Sequence, residues 1–250
     1  MRLFLHELKY ELLLYVRSRE LAFFTFMFPI ILFLLLGSVY GDNDEINGYR
    51  GADYLLTGVI GYGVAATAFG GLAIILVLRR EAGVLKRLRA TPLPAPAYVS
   101  AVLATTLIFF LIEAIALIAI GIALFGADVP TNLVSLFLAL MLGGGAFAAL
   151  GVGLSSVIRR AEGASAVINA IYLPVSFLSG TFFSQRAFPE FLQKIADVLP
   201  LTYFIDLVGA VMLGGSSIWD EPIDVAVITA WGLGGAIVAV RYFRWVPQEG

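Results

Sequence analysis

Arg79-Arg80-Glu81-Ala82-Gly83-Val84-Leu85-Lys86-Arg87-Leu88-Arg89-Ala90-Thr91-Pro92-Leu93-Pro94-Ala95-Pro96 is a charged stretch between two long apolar runs, and it decides the fold. Five of the chain's 16 Lys and Arg residues fall within its first eleven positions. Short loops rich in Lys and Arg stay on the cytoplasmic side of a membrane. Because each flanking apolar run exceeds twenty residues, the stretch is predicted to be a cytoplasmic loop, residues 79–97, between two membrane spans.

The loop also carries a helical pattern. Val84, Leu85 and Leu88 recur at helical spacing, whereas Lys86 and Arg87 fall between them. Three prolines then end the helix and stiffen the following chain, at Pro92, Pro94 and Pro96. Two interpretations are open: a short amphipathic helix that binds a cytosolic partner, or an ordinary basic loop that only fixes topology.

The composition indicates an all-α integral membrane protein. Of the 250 residues, 60% are hydrophobic and 14% are charged, and the mean hydropathy is +0.94. Soluble domains carry about 25% charged residues. The apolar segments are continuous rather than alternating, which favours helical spans over a β-barrel. The net charge of −2 suggests that no nucleic acid is a partner.

Several classes of chemistry are excluded by missing residues. The chain has no Cys and one His, His6, so thiolate metal sites and paired-histidine zinc motifs are excluded. None of the three lysines is followed by Ser or Thr, and therefore the chain has no phosphate-binding P-loop. We predict a transport subunit that is not an enzyme and holds no metal or cofactor. ATP and Mg²⁺, if used, would bind a separate partner chain.

The apolar runs predict one transmembrane domain, residues 1–250, with six spans. The spans are residues 21–39, 54–78, 98–124, 133–158, 164–183 and 223–243. Residues 1–20 mix charged and apolar side chains at helical spacing, as in an amphipathic helix lying in the headgroup layer. Residues 184–222 contain apolar pieces too short to cross a bilayer, and we expect an extracytoplasmic re-entrant segment there.

The distribution of basic residues gives the orientation. In this topology thirteen lie inside: Arg2, Lys9, Arg17, Arg19, Arg79, Arg80, Lys86, Arg87, Arg89, Arg159, Arg160, Arg241 and Arg244. Three lie outside: Arg50, Arg186 and Lys194. This asymmetry predicts a multi-pass protein of the plasma membrane with both termini in the cytoplasm.

Glu113 is the one ionisable side chain near the centre of a predicted span. A charge at that depth is costly, so the side chain is expected to face protein or water rather than lipid. It could belong to a substrate or proton site lining a cavity, or it could be a neutral carboxyl group that hydrogen-bonds two helices. No Lys, Arg or second carboxylate lies at similar depth, which argues against a proton relay.

Two short motifs resemble those of type-2 ATP-binding-cassette (ABC) permeases. Arg80-Glu81, Gly83, Leu85, Leu88 and Thr91-Pro92 resemble the family's Arg-Glu-x-Gly-x-Leu-x-x-Leu-x-x-Thr-Pro signature between spans two and three. The second motif is Phe188-Pro189 with Leu199-Pro200-Leu201-Thr202-Tyr203 and Asp206, similar to the family's Pro-Leu-Thr-Tyr run after span five. With the six-span plan, the resemblance covers essentially the whole chain.

The resemblance implies a half-channel of an exporter for an amphipathic or hydrophobic molecule, such as a drug, lipid or lipid-linked glycan. It implies a homodimer, or a dimer with a related permease, in contact with membrane lipid and driven by two cytosolic ATPase subunits. The N-terminal interfacial helix and the basic loop would contact the ATPase. The coupling residues would be Arg80, Glu81, Gly83, Leu85, Lys86, Arg87 and Leu88.

We expect the apolar side chains of that helix, Val84, Leu85 and Leu88, to insert into a groove on the ATPase, with the basic side chains against an acidic rim. Two positions depart from the family: Arg79 stands where an acidic residue is common, and Gly209 where relatives often carry Arg. Two other classes stay open, an ion-coupled secondary transporter using Glu113 and a membrane scaffold without transport. The cargo, the transport direction and the choice between homodimer and heterodimer are also open.

Overall fold

A computed structural model describes residues 2–18, 23–40, 45–46, 48–91, 93–158, 160–243 and 245. These residues form a helical protein with one short β-hairpin, in which each strand has two residues. Predicted features at Arg19, at the start of the first span, and at Pro92, Arg159 and Arg244 lie outside the described residues. The side chains of Arg2 and Arg89 do so too.

Ten helices and two strands follow in chain order within the described ranges. They are α1 (Arg2–Arg17), α2 (Phe28–Tyr40, after a π-helical turn Phe23–Met27), β1 (Glu45–Ile46), β2 (Tyr49–Arg50), α3 (Gly51–Glu81), α4 (Val84–Arg89), α5 (Ala95–Phe125), α6 (Leu133–Val157), α7 (Ala164–Leu178), α8 (Glu190–Ala196), α9 (Pro200–Met212) and α10 (Pro222–Tyr242). Two short 3₁₀ turns, Gln185–Ala187 and Ile218–Asp220, lie between the later helices.

Four of these helices, α3, α5, α6 and α10, are long and apolar enough to cross a membrane. The pair α8 and α9 passes the same test together, but the two helices meet at an angle of 81°. Two shorter apolar helices, Thr25–Tyr40 and Ala164–Leu178, fall on the first and fifth predicted spans. The predicted fold class is therefore confirmed in its coarse form, a mostly helical membrane protein with four or five candidate spans.

The ends of the helices follow local backbone geometry. Four predicted spans begin and end within three residues of α3, α5, α6 and α10. The helix on the fifth predicted span, residues 164–183, ends earlier, at Leu178. The reason is Gly180, whose φ of 84° lies in the left-handed region that commonly ends a helix.

Helix α3 is the centre of the protein. Its apolar side chains, including Leu55, Leu56, Val59 and Ile60, are almost completely buried, and α2, α5, α6 and α9 pack around it. A π-helical segment, Val64–Gly71, interrupts α3 near its middle. Such segments are rare and often occur at functional sites, and this one contacts α5, α6 and α7.

Glycines allow α6 and α10 to pack backbone against backbone. A Cβ added at Gly235 would lie 2.7 Å from the Leu150 amide nitrogen, and one at Gly153 would lie 2.9 Å from the Gly235 carbonyl oxygen. Both distances are shorter than real side-chain contacts. Small residues that permit such close approach are a frequent device of membrane helix pairs. Of the glycines in the Gly143-Gly144-Gly145 run, the first two contact aromatic or aliphatic side chains, whereas Gly145 faces open space.

Candidate functional site

The basic loop begins where α3 ends at Glu81. Gly83 follows with a φ of 68°, a left-handed conformation that L side chains rarely adopt. This turn lets α4 begin at Val84 immediately after α3. Pro94 then lies just before α5 in an extended conformation, and Pro96 lies in the first turn of α5, where its fixed φ suits the start of a helix. The loop is therefore a short helix held between two rigid helix ends.

Arg80 is buried and caps the C-terminal end of α6. Its Nη1 donates a hydrogen bond of 2.8 Å to the Ser155 carbonyl oxygen, and its Nη2 donates to the Ile158 carbonyl oxygen. The last carbonyl groups of a helix have no partner within the helix, and they carry partial negative charge. Arg80 supplies both the missing donors and a compensating positive charge, so it connects the loop directly to α6.

Arg79 connects the same end of α3 to α1 and α5. Its Nη1 and Nη2 donate hydrogen bonds of 2.7 and 2.8 Å to the two carboxylate oxygens of Glu11. Its Nη1 also donates a hydrogen bond of 2.9 Å to the Tyr98 hydroxyl. The departure from the family pattern at Arg79 therefore has a role inside this chain, because the side chain pairs with α1.

Glu81 reaches the turn before α7. Its Oε2 accepts a hydrogen bond from the Ala161 backbone N–H, although the rest of the side chain is exposed. Three successive residues, which we call the Arg79–Glu81 junction, thus contact α1, α5, the end of α6 and the turn that leads into α7. A displacement of the loop would therefore act on four helices, namely α1, α5, α6 and α7.

The apolar side of α4 faces the protein's own core. Leu85 is 0% exposed, Leu88 packs partly buried against the same core cluster, and Val84 is half-buried. The prediction that Leu85 inserts into a partner's groove is therefore wrong for this structure. The physical reason is that burying the leucine against its own chain removes the same apolar surface from water. Lys86 and Arg87 are exposed, so they form the side of α4 that a partner can contact.

Replacing Arg80 tests its contact with α6. Arg80→Ala leaves the Ser155 and Ile158 carbonyl groups without their donors, and a buried group without a partner costs about 1–3 kcal/mol. We expect the free energy of unfolding in detergent to fall by about 2 kcal/mol. Lys86→Ala, which removes an exposed cation from the same loop, is the matched control and should change stability by less than about 0.5 kcal/mol. Equal stability of the two variants would contradict the contact.

A second polar site surrounds Glu113 on α5. The side chain is 1% exposed, and its Oε2 accepts a hydrogen bond of 3.0 Å from the Thr67 hydroxyl. Thr67 belongs to the π-helical segment of α3. Within the described part of the chain Oε1 has no hydrogen-bond partner. Glu113 therefore faces protein rather than lipid, and it bonds α5 to α3.

Gly63 makes room for this carboxyl group. A Cβ added at Gly63 would lie 2.5 Å from Oε1 of Glu113, closer than any real contact. One turn before Glu113 on α5, Phe109 stacks on Tyr15 of α1 with ring centroids 3.9 Å apart, and the Tyr15 hydroxyl lies 2.6 Å from the Thr25 hydroxyl. The carboxyl group is thus tightly enclosed. The hydrogen bond gives the helix-bonding interpretation geometric support, whereas a substrate or proton role stays a prediction.

Glu113→Gln separates these two interpretations. Glutamine has almost the same shape, and its amide oxygen can still accept a hydrogen bond from Thr67. We expect transport to fall by less than about threefold, because such a bond contributes only about 1 kcal/mol. The measurement is initial transport rate per assembled protein in vesicles. Abolished transport with normal expression would favour the ion-coupled transporter, to which the unpaired Oε1 gives its main support.

Sequence reasoning missed Glu11, Tyr98 and Thr67. The sequence does hold a signal for the first of them. Glu11 lies three residues after Leu8 and four before Tyr15, so at helical spacing it shares a face with two apolar side chains, and a charge on an apolar face requires a partner. Within the described residues, no group of three or more His, Cys, Asp or Glu side chains could hold a metal ion.

Comparison with known proteins gives consistent matches. The family model for the ABC-2 type transporter matches residues 2–213. "Putative transport permease YvfS" of Bacillus subtilis (strain 168) is 25% identical over 221 residues, which are 82% of this chain and 84% of YvfS. "Inner membrane transport permease YhhJ" of Escherichia coli (strain K12) is 20% identical over 174 residues, 68% of this chain but 45% of YhhJ. The YhhJ protein of Shigella flexneri gives the same figures.

Proposed function

The chain belongs to the ABC-2 type transporter family, and on this basis we propose that it is one membrane half of an exporter driven by separate ATPase subunits. The predicted membership of this permease family is thereby confirmed. The permease works as a dimer and moves an amphipathic or hydrophobic molecule outward. The Arg79–Glu81 junction carries the proposal, because it joins the loop that would meet the ATPase to four helices.

The proposed mechanism follows from that junction. Closure of two ATPase subunits on ATP would displace α4 through contacts with exposed Lys86 and Arg87. Because Leu85 is packed into the core, α4 cannot move independently of the membrane helices. The displacement would therefore shift α1, α5, α6 and α7 together and favour an outward-open state, as a ligand favours one of two existing conformations.

The proposed topology has six spans, with the shorter helices included. Thr25–Tyr40 has 16 residues and is about 24 Å long, less than the roughly 30 Å of a bilayer core. A short span is accommodated by local thinning of the bilayer at modest cost. The angle of 81° between α8 and α9 supports a re-entrant extracytoplasmic segment, because the two helices do not form one straight span.

Cysteine labelling tests this topology in a chain that has no native cysteine. Cysteine at exposed Arg87 should stay unlabelled when an impermeant thiol reagent is added outside intact cells. Cysteine at exposed Lys194 should be labelled under the same conditions, and position 87 should react after the membrane is opened. Labelling of position 87 from outside would show that the protein has the opposite orientation in the membrane.

Transport measurements test the function itself. Inside-out vesicles that contain the permease and its ATPase should transport only with hydrolysable ATP, and ionophores should not reduce the initial rate. Dependence on an ion gradient would instead support the secondary transporter. A permease that binds no ATPase in a membrane pull-down would support the scaffold.

A further inference from the structure

A narrow cleft lies where α1 crosses α3 and α5. Its volume is about 220 Å³, and its side walls are mainly apolar, formed by Leu14 of α1, Leu72, Ile75 and Leu78 of α3, and Val102 of α5. From Leu72 to Arg79 the cleft follows α3 for about 10 Å, seven residues at about 1.5 Å each. We propose that this cleft binds a phospholipid of the adjacent leaflet, with one acyl chain inside and the phosphate at Arg79.

The rim of the cleft identifies the side from which an occupant enters. Leu14 is 55% exposed and Leu78 is 48% exposed, although both are large apolar side chains. On α1 the neighbouring Leu13 and Val16 are exposed as well. In a membrane protein such a surface is covered by lipid. The cleft therefore opens into the bilayer, where phospholipid is the solvent rather than a rare ligand.

Polar side chains also line the cleft, which distinguishes it from a purely apolar gap between helices: Glu11, Tyr15, Arg79, Thr105 and Thr106. Thr105 lines the cleft and is 3% exposed, and its hydroxyl group has no hydrogen-bond partner within the described residues. An unpaired buried hydroxyl costs free energy and calls for an occupant that supplies a partner. An ester carbonyl oxygen of a phospholipid is a suitable acceptor at the head of an acyl chain.

Arg79 supplies the charged contact of the cleft. Its hydrogen bonds to Glu11 and Tyr98 use three of the five N–H groups of the guanidinium. Within the described residues this leaves two N–H donors for a phosphate oxygen, an acceptor that guanidinium groups bind strongly. Lys9 and Arg17 are exposed on α1 and would add attraction for anionic headgroups near the membrane surface.

The size of the cleft excludes larger occupants. Pockets that hold a whole drug-sized molecule usually measure about 300–1,000 Å³, more than this cleft offers. A helix of a second copy is about 10 Å wide and would not enter. One acyl chain is flexible and narrow, so part of it fits a cleft of this volume and length while the rest of the lipid stays in the bilayer.

Photolabelling in nanodiscs tests the proposal. The probe is phosphatidylglycerol with a diazirine on one acyl chain, and diacylglycerol with the same labelled chain serves as the comparison. We expect labelled peptides to concentrate on α1, α3 and α5 at the residues lining the cleft. Diacylglycerol should label them about tenfold less, because it lacks the phosphate that binds Arg79.

Three variants make the test specific. Leu78→Trp blocks the rim at an exposed position and should reduce the labelling of the cleft by about tenfold. Ile115→Trp, a control on the exposed side of α5 away from the cleft, should leave it unchanged. Thr105→Val keeps the shape but removes the hydroxyl, and a loss of about 1 kcal/mol corresponds to about fivefold weaker labelling.

The proposal is overturned by any of three results. Labelling could spread over all exposed helices in proportion to their surface, or it could be insensitive to Leu78→Trp. Equal labelling by diacylglycerol and phosphatidylglycerol would show that Arg79 does not select a phosphate. None of these results bears on ATP-driven transport, so they leave the proposed function untouched.

Discussion

Glu11→Ala should lower the free energy of unfolding by about 3 kcal/mol and disrupt coupling, although residue 11 lies 68 positions before its partner. The carboxylate of Glu11 is buried, and the Arg79 side chain is 20% exposed. Removing one member of a largely buried ion pair leaves the other charge without compensation, which costs more than the pair itself contributes. Loss of this bond also detaches α1 from α3.

The measurement is denaturant unfolding of the purified protein in detergent, together with transport in vesicles. Glu190→Ala is the matched control, because Glu190 pairs with Lys194 at the same distance of 2.7 Å but the two side chains are 82% and 71% exposed. Exposed pairs contribute about 0–1 kcal/mol. We expect the exchange Glu11→Arg with Arg79→Glu to recover part of the lost stability. If Glu11→Ala and Glu190→Ala behave alike, α1 is not held through Arg79.

The long helices could be predicted because each one is a continuous apolar run that is visible in the sequence itself. The ends of four apolar runs agree to within three residues with the ends of α3, α5, α6 and α10, because a span is a property of consecutive residues. The π-helical segment Val64–Gly71 could not be predicted, because its residues are as apolar as those of a regular helix. The short hairpin between α2 and α3 carried no strand pattern beyond two residues on each side.

The contacts of the site depend on residues that are distant in sequence, and this limited their prediction. The basic loop was identified by charge and helical spacing, but spacing does not say which neighbour the apolar side will contact. For Leu85 that neighbour is the chain's own core. Similarly, Glu113 was predicted to avoid lipid, whereas its bond to Thr67 across 46 positions required the packed structure.

This orientation of α4 changes the best test of ATPase binding. Leu88→Asp would place a charge against this chain's own core and would destabilise the permease itself. The exposed pair Lys86 and Arg87 offers a cleaner variant, because neither side chain contributes to the core. We expect Lys86→Glu with Arg87→Glu to abolish ATPase binding, since the loop would then meet an acidic rim with the same sign of charge.

Reversing the charge at Lys86 alone or at Arg87 alone should weaken ATPase binding less than reversing both. Each should weaken binding by about tenfold at low salt and less at higher ionic strength, because exposed charges are screened over about 8–10 Å. The unfolding free energy should stay within about 0.5 kcal/mol of the unmodified protein, as for other surface substitutions. A large loss of stability would mean that the side chains support the fold rather than a partner.

The most direct measurement is ATPase pull-down from membranes, combined with ATP-driven transport, for the double reversal at Lys86 and Arg87. Its control is the same double reversal at Arg186 and Lys194, two exposed cations that the proposed topology places outside the cytoplasm. We predict that the first variant loses both ATPase binding and transport, whereas the control keeps both. Full binding and full transport by the first variant would contradict the account, because the loop would then serve only to fix the topology.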